Sequence, residues 1–182
     1  MKNWTSQLDN TTQEFQQSFS ALSGEELNWK PSPDTWSIAQ NIDHLIVINQ
    51  SYFSALSELR AGRYKLPFIA KFGFLVSYLG KFILNASKPD RKKKIKTFAI
   101  WEPANSQLPT DVLARFAAHQ ELLKREIEAS AGLVAKGAVL CSPANQNIVY
   151  KLEAAFDIIV AHEQRHLAQA KEVLGLMKEE VV

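Results

Sequence analysis

Apolar side chains recur every three or four residues along most of this chain, and that spacing restricts it to packed amphipathic helices. The C-terminal stretch shows the pattern most fully. Leu152, Ala155, Ile159, His162, His166, Ala170 and Val173 fall on one stripe, and two of these seven positions are histidine. The helix carrying them is predicted to begin between Asn145 and Lys151 and to end near Gly175.

Three more helices follow from the same reading. Trp4, Leu8, Phe15, Phe19 and Leu22, with Thr11 in their row, mark a first helix that breaks at Ser23-Gly24. Pro31 and Pro33 stiffen the next connection. Ser37 to Gln40 has capping-box form, a serine oxygen for an orphan amide and a glutamine three residues on. The helix it opens is predicted to reach about Arg60, with Ile38, Ile42, Leu45, Tyr52, Leu56 and Leu59 inward. Thr110 or Asp111 can cap a third helix through Val112, Leu113, Phe116, Leu123 and Ile127, stopping near Gly132. A loop with Gly137, Cys141 and Pro143 leads on, and no β-hairpin signal competes. The expectation is an all-α chain, a four-helix bundle forming a single domain over residues 1–182.

The stretch between Gly62 and Pro109 interrupts this pattern as an inserted apolar and basic connector. From Phe68 to Leu84 it is strongly apolar, yet Lys71, Gly73, Gly80 and Lys81 interrupt it. A membrane span needs ~20 predominantly apolar residues, so a helix or broken helix lying over the bundle is expected, without membrane contact. Arg91, Lys92, Lys93, Lys94 and Lys96 follow, then Phe98 to Pro103, expected to be extended. Without that basic run the chain has 16 basic against 19 acidic residues, so its charge describes one solvated loop and no nucleic-acid-binding face. A 46% hydrophobic content and a net charge of +2 exclude disorder. One cysteine, Cys141, excludes a disulfide framework and a cysteine-rich zinc site. No apolar stretch follows a basic start, so a reducing cytoplasm is the expected compartment.

The four histidines, His44, His119, His162 and His166, all fall within predicted helices. His162 and His166 are four apart, so both rings leave one helix face with Cβ atoms ~5–6 Å apart. They stand where apolar residues are expected. An unpartnered buried imidazole costs ~1–3 kcal/mol, and protonating two side by side costs more. A divalent cation, bound by neutral imidazole through bonds of ~2.0–2.1 Å, removes both problems; hydrogen bonds to polar neighbours or water are the alternative. His44, at the edge of the second helix's apolar stripe, can reach the open side of the pair from a neighbouring helix. Asp43 projects away from it, and Gln40 is occupied as a capping partner. His119, at the margin of the third helix, reads as a surface residue or a support outside the ligand set.

Trp36-Ser37-Ile38-Ala39-Gln40-Asn41-Ile42-Asp43-His44-Leu45 resembles the WSxxxxxxHL segment of the DinB/YfiT-like metal-dependent superfamily. His162-Glu163-Gln164-Arg165-His166-Leu167-Ala168-Gln169 resembles its HxxRHxxQ segment. The connector from Lys92 to Pro103 is similar to that of many members, and the likeness spans essentially the whole chain. The resemblance implies a DinB-like four-helix bundle with a metal site made of His44, His162 and His166. Gln169 and Arg165 match the motif as supporting residues. Gln169 can hold a ring or a bound water. Arg165 can clamp an anionic substrate, or pair with Glu163 or Asp157.

Members with assigned activity include bacillithiol- or mycothiol-dependent S-transferases and a mycothiol-dependent isomerase. The expectation is therefore a divalent-metal protein (Zn, Ni, Fe or Mn) that transfers a low-molecular-weight thiol, bacillithiol or glutathione in type, to a small electrophile. A metal-dependent hydrolase and a non-catalytic stress-related binding protein are the alternatives. Catalytic residues beyond the metal set are not assigned, and a homodimer is compatible with the apolar excess between Gly62 and Pro109.

Overall fold

The computed structural model describes residues 2–90, 97–103 and 107–180; the basic run at 91–96 lies outside them. The helices are α1 (Trp4–Phe19), α2 (Gly24–Asn28), α3 (Ile38–Gln50), α4 (Phe53–Arg60), α5 (Gly73–Ser87), α6 (Val112–Ala129), α7 (Ala131–Ala135) and α8 (Leu152–Glu180). Two strands, β1 (Val139–Ser142) and β2 (Asn145–Lys151), precede α8. The fold is all-α apart from this pair. Local chemistry sets several helix starts. Asn3 caps α1, and complete capping boxes open α2 (Ser23 with Glu26) and α3 (Ser37 with Gln40). α1 and α3 each pack against both α6 and α8, which makes the bundle.

Its interior has two apolar ends. Trp4, Leu8, Leu56, Leu123, Ile127, Phe156 and Ile159 belong to one, and Phe15, Phe19, Ile42, Leu45, Phe116 and Leu167 to the other. Between them each of the four bundle helices contributes buried polar residues: Thr11 from α1, Asn49 from α3, His119 and Gln120 from α6, and Glu163 from α8. The histidine stripe of α8 runs through this polar waist.

Several sequence expectations need correction. The second helix does not run unbroken to Arg60, because Tyr52 N–H bonds Asn49 O (3.2 Å) and tightens the chain into a turn. The Tyr52 hydroxyl then meets that of Tyr150 at 2.8 Å, a pairing sequence spacing cannot reveal. The loop before α8 is an antiparallel hairpin, with Leu140 opposite Tyr150 and Cys141 opposite Val149. Those strands are short, and what holds them is burial of Leu140, Val149 and Tyr150 under neighbouring helices. Phe98 to Pro103 is not extended throughout, since Ala99–Trp101 forms a 3₁₀ turn. The last helix continues past Gly175, a residue that costs a helix only ~1 kcal/mol.

The connector does lie over the bundle as a broken helix: a 3₁₀ turn at Phe68–Lys71, then α5 packed on β2 and α8. Gly80 sits at that contact, where an added Cβ would meet Tyr150 Cβ at 3.1 Å and Ala154 Cβ at 3.3 Å. Gly80→Leu is expected to lift α5 and cost ~1–3 kcal/mol, read as a lower melting temperature. An unchanged melt would mean that α5 contributes nothing to stability. No helix among the described residues is long and apolar enough to cross a membrane.

Candidate metal centre

His44 from α3 and His162 and His166 from α8 come together, one ring nitrogen of each lying within 4.8 Å of the others. Ring centroids are 4.5 Å apart for His162 and His166, 4.7 Å for His44 and His166, and 5.2 Å for His44 and His162. His44 is 2% exposed, well inside the position its place on the helix suggests. Antiparallel packing of α3 on α8 brings it there.

Neighbouring groups decide which nitrogen of each ring is free. His44 Nδ1 lies 2.7 Å from the carbonyl oxygen of Trp101, which can only accept, so Nδ1 carries the proton. His166 Nδ1 lies 2.7 Å from Asn41 Oδ1. Asn41 Nδ2 donates to Ser37 O at 2.9 Å, which fixes the amide with its oxygen toward the ring. Nε2 is therefore the unprotonated nitrogen of both His44 and His166. His166 Nε2 stands 3.1 Å from His162 Nε2, close to the ~3.3 Å that two ligands at ~2.05 Å span on a tetrahedral ion. With His166 Nε2 unprotonated, His162 Nε2 is the donor of this contact, and a shared cation can take the place of that proton between the two nitrogens.

Burial also keeps the rings neutral. It lowers His162 to about 3, helped by His44 and the Arg165 cation. Burial pushes His166 well below its ordinary value, with His162, His44 and Arg165 adding to it. Burial lowers His44 too, against the opposing pull of the Trp101 carbonyl and Asp43. The half-buried Trp36 packs on the set, its ring stacked on His166 at 5.7 Å and tilted against His44 at 4.9 Å. Neutral, oriented nitrogen donors with indole cover are what a divalent transition metal requires.

The family model for the DinB superfamily matches residues 7–170. The chain belongs to the DinB superfamily. Comparison with curated proteins and with solved structures finds no significant match. The family match takes in α3 and most of α8, and so every histidine of the DinB-like set.

The other residues singled out in sequence lie as follows. Arg165 donates to Ala86 O at 2.9 Å, tying α8 to the end of α5. Gln169 is half-buried one turn past His166, and the bonds that orient His44 and His166 come from Trp101 and Asn41 instead. Asp43 faces away from the set and pairs with Arg115 at 3.1 Å. His119 is not a surface residue: it is 6% exposed and stacked on Phe53 at 5.5 Å, outside the triad. Burial takes its pKa to about 4.

Sequence spacing assigns no role to Trp101 or Asn41, though Asn41 stands one turn before His44. Nor does it place Glu163. His162-Glu163-Gln164-Arg165-His166 has the H-E-x-x-H spacing in which a metallohydrolase uses glutamate as general base. Here Glu163 is fully buried, and its Oε1 accepts from Asn49 Nδ2 at 2.7 Å in the polar waist. Burial raises its pKa to about 8, against lowering by nearby Gln120 and Asn49. Gln120 stays outside hydrogen-bond geometry, leaving Oε2 without a partner among the described residues. A carboxyl committed to the core in this way does not serve water activation at the triad.

Proposed function

We propose that this DinB-like protein is a divalent-metal-dependent transferase in which His44, His162 and His166 hold the ion and a low-molecular-weight thiol is the co-substrate. The observation that carries the reading is the convergence of three neutral imidazoles, two of which, His44 and His166, have their outer nitrogens tied to Trp101 O and Asn41. A bound Zn²⁺, Ni²⁺, Fe²⁺ or Mn²⁺ with an open position lowers the pKa of a thiol from ~8.5, so that thiolate is present at neutral pH.

The chain supplies orientation and charge control. Trp101 O and Asn41 hold two rings in one tautomer, Trp36 excludes water from one side, and Arg165 disfavours protonation of His162 and His166. Gln169 and Arg165 support the set from outside it. Cys141 is buried in the apolar cluster of Val76 and Val149 and is no nucleophile for this site, so the reacting sulfur belongs to the co-substrate. The new S–C bond forms as the leaving group departs with its electron pair, and the thiol proton goes to solvent. A reducing cytoplasm keeps both kinds of thiol available. The position of Glu163 speaks against the hydrolase alternative.

The test is conjugation of bacillithiol or glutathione to a chlorinated aromatic, with and without added Zn²⁺, Ni²⁺ or Mn²⁺. Metal-dependent thioether formation supports the proposal. Metal-dependent hydrolysis without thiol replaces it with a hydrolase. No turnover, together with a large metal-dependent rise in melting temperature, replaces it with a binding protein.

A further inference from the structure

α5 has two opposite faces. Val76, Gly80 and Ser87 are buried against the hairpin and α8. The other face carries Phe74, Tyr78 and Phe82 at successive turns, 71%, 63% and 51% exposed. Phe68 and Phe72 extend the row, 68% and 40% exposed. These rings pack on one another: Phe68 on Phe72 at 5.4 Å, Phe72 on Phe74 at 6.3 Å, Tyr78 on Phe82 at 6.4 Å. Isolated exposed apolar residues need no explanation, but two groups of packed rings at successive turns of one face do.

The charge of the segment that carries the strip is one-sided. Between Ala61 and Pro89 the chain has no aspartate or glutamate, while Lys65, Lys71, Lys81 and Lys88 are all exposed. Lys71 Nζ lies 5.1 Å from the centre of the Phe68 ring, so cation and aromatic share one surface. The basic run that follows adds further positive charge in sequence. Aromatic rings with flanking lysines on one helix face are the chemistry of a helix lying in a bilayer interface, where rings enter the headgroup region and cations meet anionic lipid. A second copy of the chain is a poorer occupant, because self-pairing sets this acid-free cationic strip against itself.

We infer that the aromatic and lysine face of α5 with its preceding turn docks the protein peripherally on anionic membrane surfaces. Contact of this kind needs no spanning helix, and it departs from the sequence expectation that this segment stays off the membrane. The inference is independent of the transferase reading, since none of its residues belongs to the histidine set.

Flotation of the purified protein with phosphatidylcholine vesicles, and with vesicles also containing phosphatidylserine, tests it. Binding is expected to the anionic vesicles alone and to fall as salt is raised. Phe74→Ser/Tyr78→Ser/Phe82→Ser should reduce that binding at least about tenfold with an unchanged melting temperature, because those side chains support no core. Lys71→Glu/Lys81→Glu, which leaves the rings in place, should weaken it as well and serves if the triple variant does not fold. Absence of binding to anionic vesicles overturns the inference, as does full binding by both variants. A wild-type dimer that the triple variant converts to monomer, with no vesicle binding, assigns the face to a second copy instead.

Discussion

The His166→Ala protein is expected to leave gel filtration with almost no divalent metal, against about one equivalent per chain in the parent. Losing one of three nitrogen donors should weaken affinity by more than ~100-fold, beyond the 10–100-fold typical of losing a supporting hydrogen bond. Asn41→Ala removes only such a support and should fall within that smaller range. At a free metal concentration ~100 times the dissociation constant, the parent gains ~2.7 kcal/mol of stability that His166→Ala lacks. Metal-free His166→Ala should fold normally, since the change also relieves three crowded imidazoles. Elemental analysis beside a metal-titrated melt checks both statements. Equal metal content in parent and variant removes His166 from the site and withdraws the transferase proposal with it.

Glu163→Gln should stabilise the metal-free protein, and increasingly so as pH rises. The folded-state pKa of Glu163 is raised from 4.5 to about 8. Between these values the unfolded chain releases a proton that the folded chain keeps, so stability falls as pH climbs through that window. The full interval corresponds to a ceiling of ~5 kcal/mol, and partial relaxation around the ion reduces this to ~2–4 kcal/mol at pH 8. Glutamine keeps an oxygen for Asn49 and never ionises. Its advantage should therefore be largest near pH 8 and vanish toward pH 4.5. Urea unfolding at both pH values, with chelator present, measures it. A variant that is destabilised equally at both would mean that Glu163 is charged in the core and that the waist is built around an ion.

The two residues illustrate what can be read from a chain like this one. His162 and His166 were legible because their spacing and their place in an apolar stripe are properties of one helix. Glu163 lies between them, and nothing local distinguishes it from a solvated partner for Arg165. Its burial follows from the direction in which α8 is turned and from Asn49 on α3 standing opposite. The same holds for His119, whose marginal position on α6 became interior once Phe53 packed over it. The hairpin went unseen because four- and seven-residue strands have little pattern of their own and are held by the helices they touch.

Sequence alone determined the helical class, the capping box of α3, and the paired imidazoles on α8. Each depends on residues within a turn or two of one another, where backbone geometry links spacing directly to direction. Tertiary structure decided that His44 completes the set, that Trp101 and Asn41 select the free nitrogens, that Glu163 belongs to the core, and that the α5 aromatics face outward. Those outcomes depend on which helix faces meet, and that is a balance of burial over contacts between segments distant in the chain.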